Sequence, residues 1–369
     1  MQSDHFRNLV GARGPFASVY FEDSHNTADA AAQLGVKWRD LRDQLEAQGA
    51  DGILTGALQR AILTARPPVG RSGRAVIAGP GGVLVDEHLI RPPVSTVARV
   101  SELPYLIPLV EYGDERPAYL VVAVDHTGAD LTVYDGQSVD ATTVQGEGYP
   151  IHKAAGAEGP YYGDPQPKVE EQAKKNLRLV AHRVSEVVDG SAIDIVFVLG
   201  EIRSRADLLA ELPQRVRGKV VELAVGARDS GIDVHDVQKA IDSEFERRRN
   251  AVLGEIASRF EEGRGREKKL AVEGLTDVCA ALRDGSVETL IVGEMGDATL
   301  VADEHLDAVA PDADLLSELG AAPEKTIRAD EALPMAAIAV GAAVMKADER
   351  INPASGVAAL LRYASTSAR

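Results

Sequence analysis

The chain is short of several things, and each shortage removes a class of function. One cysteine, Cys279, occurs in 369 residues, so neither a disulfide framework nor a thiolate zinc site can be assembled. Aromatic residues are only 4% of the sequence. No apolar run approaches the roughly 20 residues of a membrane-spanning helix. The opening residues, MQSDHFRNLVGARG, lack the basic-then-apolar order of a signal peptide. A cytoplasmic protein is the expectation. What is present, 45% hydrophobic and 26% charged residues, is the mixture of a globular protein. The length calls for two or three domains rather than one core.

A basic excess is also missing. The net charge of −17 argues, taken whole, against nucleic acid, but its distribution is uneven. Residues 101–150 hold one basic and nine acidic side chains, and 251–369 hold 12 and 21. By contrast, residues 1–100 hold 11 and 10, and 151–250 hold 16 and 17. The runs "RSR" (203–205), "RVRGK" (215–219) and "ERRR" (246–249) can meet phosphate even on an acidic protein. Arg203, Arg205, Arg215, Arg217 and Lys219 are the candidate phosphate ligands. The alternative for each run is a solvated helix face.

Signatures of catalysis are absent as well. The eight histidines are scattered and no pair has HxxxH spacing. His88 and His305 each follow two carboxylates, a weak metal signal, and no metal or cofactor is expected. "GRSGR" (70–74) and "GPGG" (79–82) lack the following Lys-Ser/Thr of a phosphate-binding loop and read as turns. Cys279 lies in the apolar helical pattern "LTDVCAALRDG", a core thiol rather than a nucleophile. Asp125 and Asp194 sit near strand ends, but Asp125 precedes His-Thr-Gly and reads as a turn former. No enzyme signature remains.

What the chain does contain is an alternation of strands and helices. "GPFASVYFED" is a strand, followed by an amphipathic helix, a second helix over about 51–66, and a hairpin turning at Gly79–Gly82. A strand pair then flanks His126-Thr127-Gly128. "KVEEQAKKNLRLVAHRVSEVVDG" carries Val169, Ala173, Leu177, Val180, Ala181, Val184 and Val188 on one stripe, with Glu170–Lys174 and Glu171–Lys175 at helical spacing. "IDIVFVLG" (193–200) reads as a strand buried on both faces. The last third repeats the alternation: a helix over 275–283 capped by Gly285 in a left-handed conformation, then a strand at 287–292. The reading is α/β with three domains, 1–111, 112–248 with a mixed sheet, and 249–369 as an α/β/α sandwich.

Between the second strand set and its helix lies "HKAAGAEGPYYGDPQPKVEEQ", a loop too long and too rich in Gly, Pro and Tyr for a simple connector. Its candidate contact residues are His152, Lys153, Gly156, Gly159, Pro160, Tyr161, Tyr162, Gly163 and Gln166. Proline stiffening and two adjacent tyrosines give it reach and aromatic faces, which the family resemblance described next would turn to stacking on exposed RNA bases, at about 1–3 kcal/mol per base. The alternative is a surface loop with incidental tyrosines.

Three segments carry a family resemblance. "GLTDVCAALRDGSVETLIVGE" (274–294) resembles the third-domain signature of archaeal and eukaryotic class 1 release factors and their relative Pelota. "VVAVDHTGADLTVYDG" resembles the opening hairpin of their second domain, and "RFEEGRGREKKLAVEG" their run into the third. "PFASVYFEDSH", "YPIHK" and "DEALPMAAIAVGAA" look most similar to the actinobacterial members of the bacterial branch that includes the ribosome hibernation factor Balon. The resemblance places the 152–168 loop where release factors hold Gly-Gly-Gln, yet this chain has no Gly-Gly-Gln. It also lacks the codon-reading Asn-Ile-Lys-Ser. The expectation is therefore a non-enzymatic protein that occupies the aminoacyl-tRNA site of idle 70S ribosomes, as in stress or dormancy. Domain one would face the decoding centre and the loop the peptidyl transferase centre. Elongation factor Tu is implied by the resemblance as a partner of the acidic third domain. A Pelota-like rescue factor and a peptidyl-tRNA hydrolase or nuclease are the alternatives.

Overall fold

The computed structural model describes residues 3–24, 30–64, 72–113, 117–135, 139–146, 166–226, 233–265, 269–306 and 308–363. The chain divides into two compact units, residues 1–115 with 252–369, and residues 116–251.

The first segment opens with a 3-10 turn, Ser3–Leu9, and then runs β1 (Phe16–Glu22), α1 (Ala30–Ala47), α2 (Gly52–Thr64), β2 (Gly73–Gly79), β3 (Gly82–Leu89), β4 (Val97–Ser101) and α3 (Ile107–Tyr112). Its antiparallel sheet has the order β3-β2-β1-β4. The Gly-Pro-Gly-Gly hairpin is where the sequence placed it, with Gly79 opposite Gly82. Alternating residues divide between two cores. Val19, Phe21 and Val76 pack with Trp38, Leu41 and Leu58 of α1 and α2. Tyr20, Ala75 and Ile77 pack on the other face with Phe6, Leu109 and Tyr112.

The central unit holds β5 (Tyr119–Val124), β6 (Gly128–Tyr134), β7 (Val139–Gln145), α4 (Gln166–Gly190), β8 (Ile195–Gly200), α5 (Ile202–Glu211), α6 (Gln214–Arg217), β9 (Val220–Glu222) and the start of α7 (Val234–Arg264). The sheet order is β7-β6-β5-β8-β9, antiparallel through β5–β6–β7 and parallel through β5–β8–β9. The mixed sheet follows from the sequence: a hairpin joins antiparallel neighbours, whereas β5 to β8 needs a crossover, which α4 supplies. Every residue of β8 is buried. Val196 and Val198 pack under Leu177, Val180 and Val184 of α4, while Phe197 packs on the opposite face with Tyr119, Val237 and Ile241. From Leu177 to Val188 the expected stripe on α4 is therefore its buried face. Glu171 pairs with Lys175 at 3.6 Å, and Glu170 accepts from Arg203 at 2.9 Å.

The third segment adds β10 (Ala271–Glu273), α8 (Leu275–Arg283), β11 (Val287–Val292), β12 (Thr299–Ala302), β13 (Val309–Ala310), α9 (Ala313–Glu318), β14 (Lys325–Arg328), α10 (Ala329–Ala339), β15 (Ala343–Lys346) and β16 (Val357–Leu361). One sheet runs β10-β16-β11-β15 and a smaller one β13-β12-β14. Leu290 and Val292 face Val278, Leu282 and Leu333, and Ile291 faces Phe260 of α7, so helices cover both faces as an α/β/α sandwich requires. Gly285 has φ +64. Its amide donates to Leu282 O and that of Ser286 to Ala281 O, both at 3.0 Å, the paired bonds of a Schellman cap. Helix and strand bounds on either side fall where the sequence put them.

The first and third segments share a core within their unit. Ile107 and Val110 lie in the cluster of α8 and α10, and Ile338 lies in the cluster of Tyr20 and Leu109. Charged bonds cross the same seam. Arg99 reaches Glu331 at 3.0 Å and Asp330 at 3.3 Å and stacks 3.6 Å from the Tyr105 ring centroid. Lys325 binds Glu102 at 2.9 Å.

Candidate functional site

The loop singled out from the sequence springs from a small polar frame in the central unit. Asp125, buried at the end of β5, accepts from Thr127 N and Oγ1 at 2.6 Å and from Gly128 N at 2.8 Å. That is the turn-forming role expected of Asp-His-Thr-Gly, and it holds β6 in register with β5. Gly128 must be glycine, because a Cβ there would stand 2.1 Å from Val144 O. The close approach draws in β7, whose end is tied down when Gly146 N donates to Thr127 O at 2.9 Å.

Gly146 is the last described residue before the loop, and it lies against the helix that follows the loop. A Cβ on Gly146 would come within 2.1 Å of Asn176 Oδ1. Asn176 is 1% exposed; its Nδ2 donates to His126 O at 3.2 Å, and its Oδ1 accepts from Gln172 Nε2 at 3.1 Å. One buried amide thus holds the 125–128 turn, the end of β7 and α4 together. From Asn176, α4 continues back to Gln166, about 15 Å at 1.5 Å per residue. The frame therefore carries a helical arm whose N-terminal end, the positive end of its dipole, leads from the loop.

His152, Lys153, Gly156, Gly159, Pro160, Tyr161, Tyr162 and Gly163 lie outside the described residues. Gln166 is described only as the first residue of α4. Sequence reasoning found the Asp125 turn, but it ran the loop to 168 where the structure already begins α4 at Gln166, and it missed Gly146, Gln172 and Asn176 as the frame. One signal was available: Asn176 is a polar residue set among the apolar positions 173, 177 and 180.

The five candidate phosphate ligands each have an intramolecular partner. Arg205, 12% exposed at its side chain, donates to Gly200 O and Leu223 O and bonds Glu222 at 3.2 Å, clamping the ends of β8 and β9. Arg217 donates to Ala210 O and Leu212 O, which closes the C-terminus of α5. Lys219 reaches Ile193 O and lies 3.8 Å from Asp194. Arg203 and Arg215 project further, at 75% and 59% exposure, with Glu170 and Asp189 as partners at 2.9 and 2.6 Å. The Arg215 guanidinium holds the Asp189 carboxyl below its ordinary range. In "ERRR", Arg247 and Arg248 both bond Glu244, which is lowered for the same reason.

Chemistry elsewhere is muted. Burial pushes the Cys279 thiol up to about 12, so it is protonated at neutral pH and a poor nucleophile. Asp194 is exposed beside Lys219. Among the described residues, no three ligand-type side chains gather as a metal site would need, and no helix is long and apolar enough to cross a membrane.

The chain is similar to several known proteins. Residues 118–266 match the model of bacterial archaeo-eukaryotic release factor family 2. Over 366 residues the chain is 50% identical to the uncharacterized protein Rv2629 of Mycobacterium tuberculosis strain ATCC 25618 / H37Rv, covering 99% of this chain and 98% of that one. The counterpart in strain CDC 1551 / Oshkosh matches equally. The chain belongs to one family with these mycobacterial proteins. Among solved structures, archaeal Pelota in a model of the ribosome-bound Pelota and ABCE1 aligns over 98% of this chain and 94% of that chain, at 16% identity and TM-score 0.40. The archaeal termination factor aRF1 aligns over 98% and 99%, at 17% identity and TM-score 0.26.

Proposed function

We propose that this protein is a non-enzymatic ribosome-binding factor that occupies the aminoacyl-tRNA site of idle 70S ribosomes, in the manner of the hibernation branch that includes Balon. The observation that carries this reading is a family match without the family's reactive parts. Residues 118–266 match the release factor family, yet no Gly-Gly-Gln and no Asn-Ile-Lys-Ser occurs anywhere in the chain. Peptide release needs a glutamine carried on flexible glycines beside the ester. The loop here offers Gly159-Pro160-Tyr161-Tyr162-Gly163, which suits stacking on bases and not activating water. The framed helical arm supports the same reading, because a probe that enters a narrow RNA site gains from a fixed base. In this proposal the first segment faces the decoding centre, the loop faces the peptidyl transferase centre, and the acidic third segment meets a protein partner such as elongation factor Tu in the cytoplasm.

The test is sedimentation of ribosomes with the purified protein. Co-migration with intact 70S particles at unchanged subunit ratio is the expected result. A rise in free subunits would replace this reading with a rescue factor that splits stalled ribosomes, and hydrolysis of peptidyl-tRNA on loaded ribosomes would replace it with an enzyme. Tyr161→Ala with Tyr162→Ala should weaken binding to vacant ribosomes by about 2–5 kcal/mol, scaling the per-base stacking value.

A further inference from the structure

The central sheet ends in an edge that its own residues do not cover. β7 is the terminal strand of the order β7-β6-β5-β8-β9, seven residues long and exposed along nearly its whole length. Gly146 N donates inward to Thr127 O, and backbone groups alternate sides along a strand. The N–H and C=O groups of Val139, Ala141, Thr143 and Gln145 therefore face outward, where no strand among the described residues pairs with them. Natural edges are usually blunted by lysine, proline, a bulge or extreme shortness. VDATTVQ has none of these; its register with β6 is unbroken over all seven residues, and its one charge is Asp140.

Beside this edge lies a cleft of about 590 Å³ between the β6–β7 face and the last turns of α4. Leu131, Val133 and Val187 line it, with Asp135, Asp140 and Glu186 among its polar groups. Arg183, its one basic side chain, already donates to Glu186 at 3.2 Å. A strand added beside β7 would bring alternate side chains over Asp140 and Thr142 toward this acidic cleft.

We propose that β7 and the adjoining cleft receive an extended basic segment of a partner protein by strand addition, main-chain bonds supplying affinity and the acidic cleft selecting lysine or arginine at alternate positions. A second copy of this chain is disfavoured, because pairing β7 with itself brings two such acidic surfaces together. The proposal does not rest on ribosome binding.

The test uses the full chain and two short synthetic peptides, one alternating lysine with valine and one alternating glutamate with valine. The lysine peptide should bind and slow amide exchange at Val139, Ala141, Thr143 and Gln145, and the glutamate peptide should not. Ala141→Pro removes an outward donor at an edge position that tolerates proline, leaving the β6 ladder intact. It should weaken the lysine peptide about tenfold, the value of roughly one lost hydrogen bond with its neighbours displaced. Asp140→Lys leaves the backbone alone and should reverse the preference between the two peptides. Equal binding of both peptides, indifference to both variants, protection of the same amides by a single-stranded RNA, or protection by concentration-dependent dimerisation without peptide would each overturn the proposal.

Discussion

Arg74 in the first unit and Arg203 and Arg215 in the central unit use their guanidinium groups in opposite ways. In the first segment, Arg74 is 2% exposed and bonds Asp86 twice at 2.8 Å. It also donates to Ala61 O and Ile62 O at the end of α2 and lies 3.7 Å from the buried Asp23. In the central unit, Arg203 meets Glu170 and Asp207, and Arg215 meets Asp189, all at the surface. A buried guanidinium cannot be removed without stranding its partners, whereas an exposed one exchanges its carboxylate for water at little cost. The first kind of arginine fixes a fold. The second is available to a phosphate.

The largest expected effect breaks the buried side of this contrast. Arg74→Met should destabilise the unit by about 3–5 kcal/mol, since Asp23 stays buried without its guanidinium. Thermal melting measures it, and Asp23→Asn added to Arg74→Met should recover part of the loss. A change no larger than that of a surface arginine would show that the pocket admits water.

Next in size is the loop frame. Asn176→Leu removes the Nδ2 bond to His126 O and the Oδ1 acceptor of Gln172 and should lose about 1–3 kcal/mol. Gly146→Ala should cost a similar amount, about 1–3 kcal/mol, because its Cβ and the Asn176 side chain claim one space. Hydrogen exchange at Thr127 and Gly146 reports whether the loss is local. Ribosome binding should fall in both variants more than stability does, if the frame aims the loop.

How much of this was legible follows from where the information sits. The Gly285 cap, the Gly79–Gly82 turn, the twofold-buried β8 and the stripe of α4 are properties of neighbouring residues, and the sequence shows them directly. The frame is different. Gly146 and Asn176 are thirty positions apart, and nothing in either neighbourhood says that they touch. The same holds for Arg205 and Arg217. Their spacing suggested phosphate, and in the structure they also bond carbonyls at Gly200, Leu223, Ala210 and Leu212, contacts that spacing alone does not announce. The joint unit of the first and third segments was invisible for the same reason, since Arg99 and Glu331 are distant in sequence.

The seam between those segments gives a pH test. Burial raises the carboxyl of Glu331, and Arg99 only partly offsets this. A carboxyl raised in the folded state holds its proton more tightly there than in the unfolded chain. Its stabilising contribution is present below the ordinary glutamate value and is lost as pH rises through the raised one. Glu244 and Glu288, both lowered by arginine partners, work the other way and lose stability as pH falls. Glu331→Gln should keep a bond to Arg99 while flattening the stability profile just above the ordinary glutamate range. Melting curves across mildly acidic pH measure it, and an unchanged profile would mean that the seam is hydrated.

The smallest effect in stability is the most informative about function. Arg203→Gln and Arg215→Gln should leave the melting temperature essentially where it was, because their carboxylate partners Glu170, Asp207 and Asp189 are all exposed. If these two side chains meet rRNA, each substitution should also lower the salt slope of ribosome binding by about 0.7–0.9, with Glu170 and Asp189 released to water on binding. Arg205→Gln should behave in reverse: it opens the clamp on β8 and β9, lowers the melting temperature, and changes the slope only through misfolding. Obtaining the same slope from all three variants and the parent would assign Arg203 and Arg215 to solvated helix faces and leave the loop as the contact to pursue.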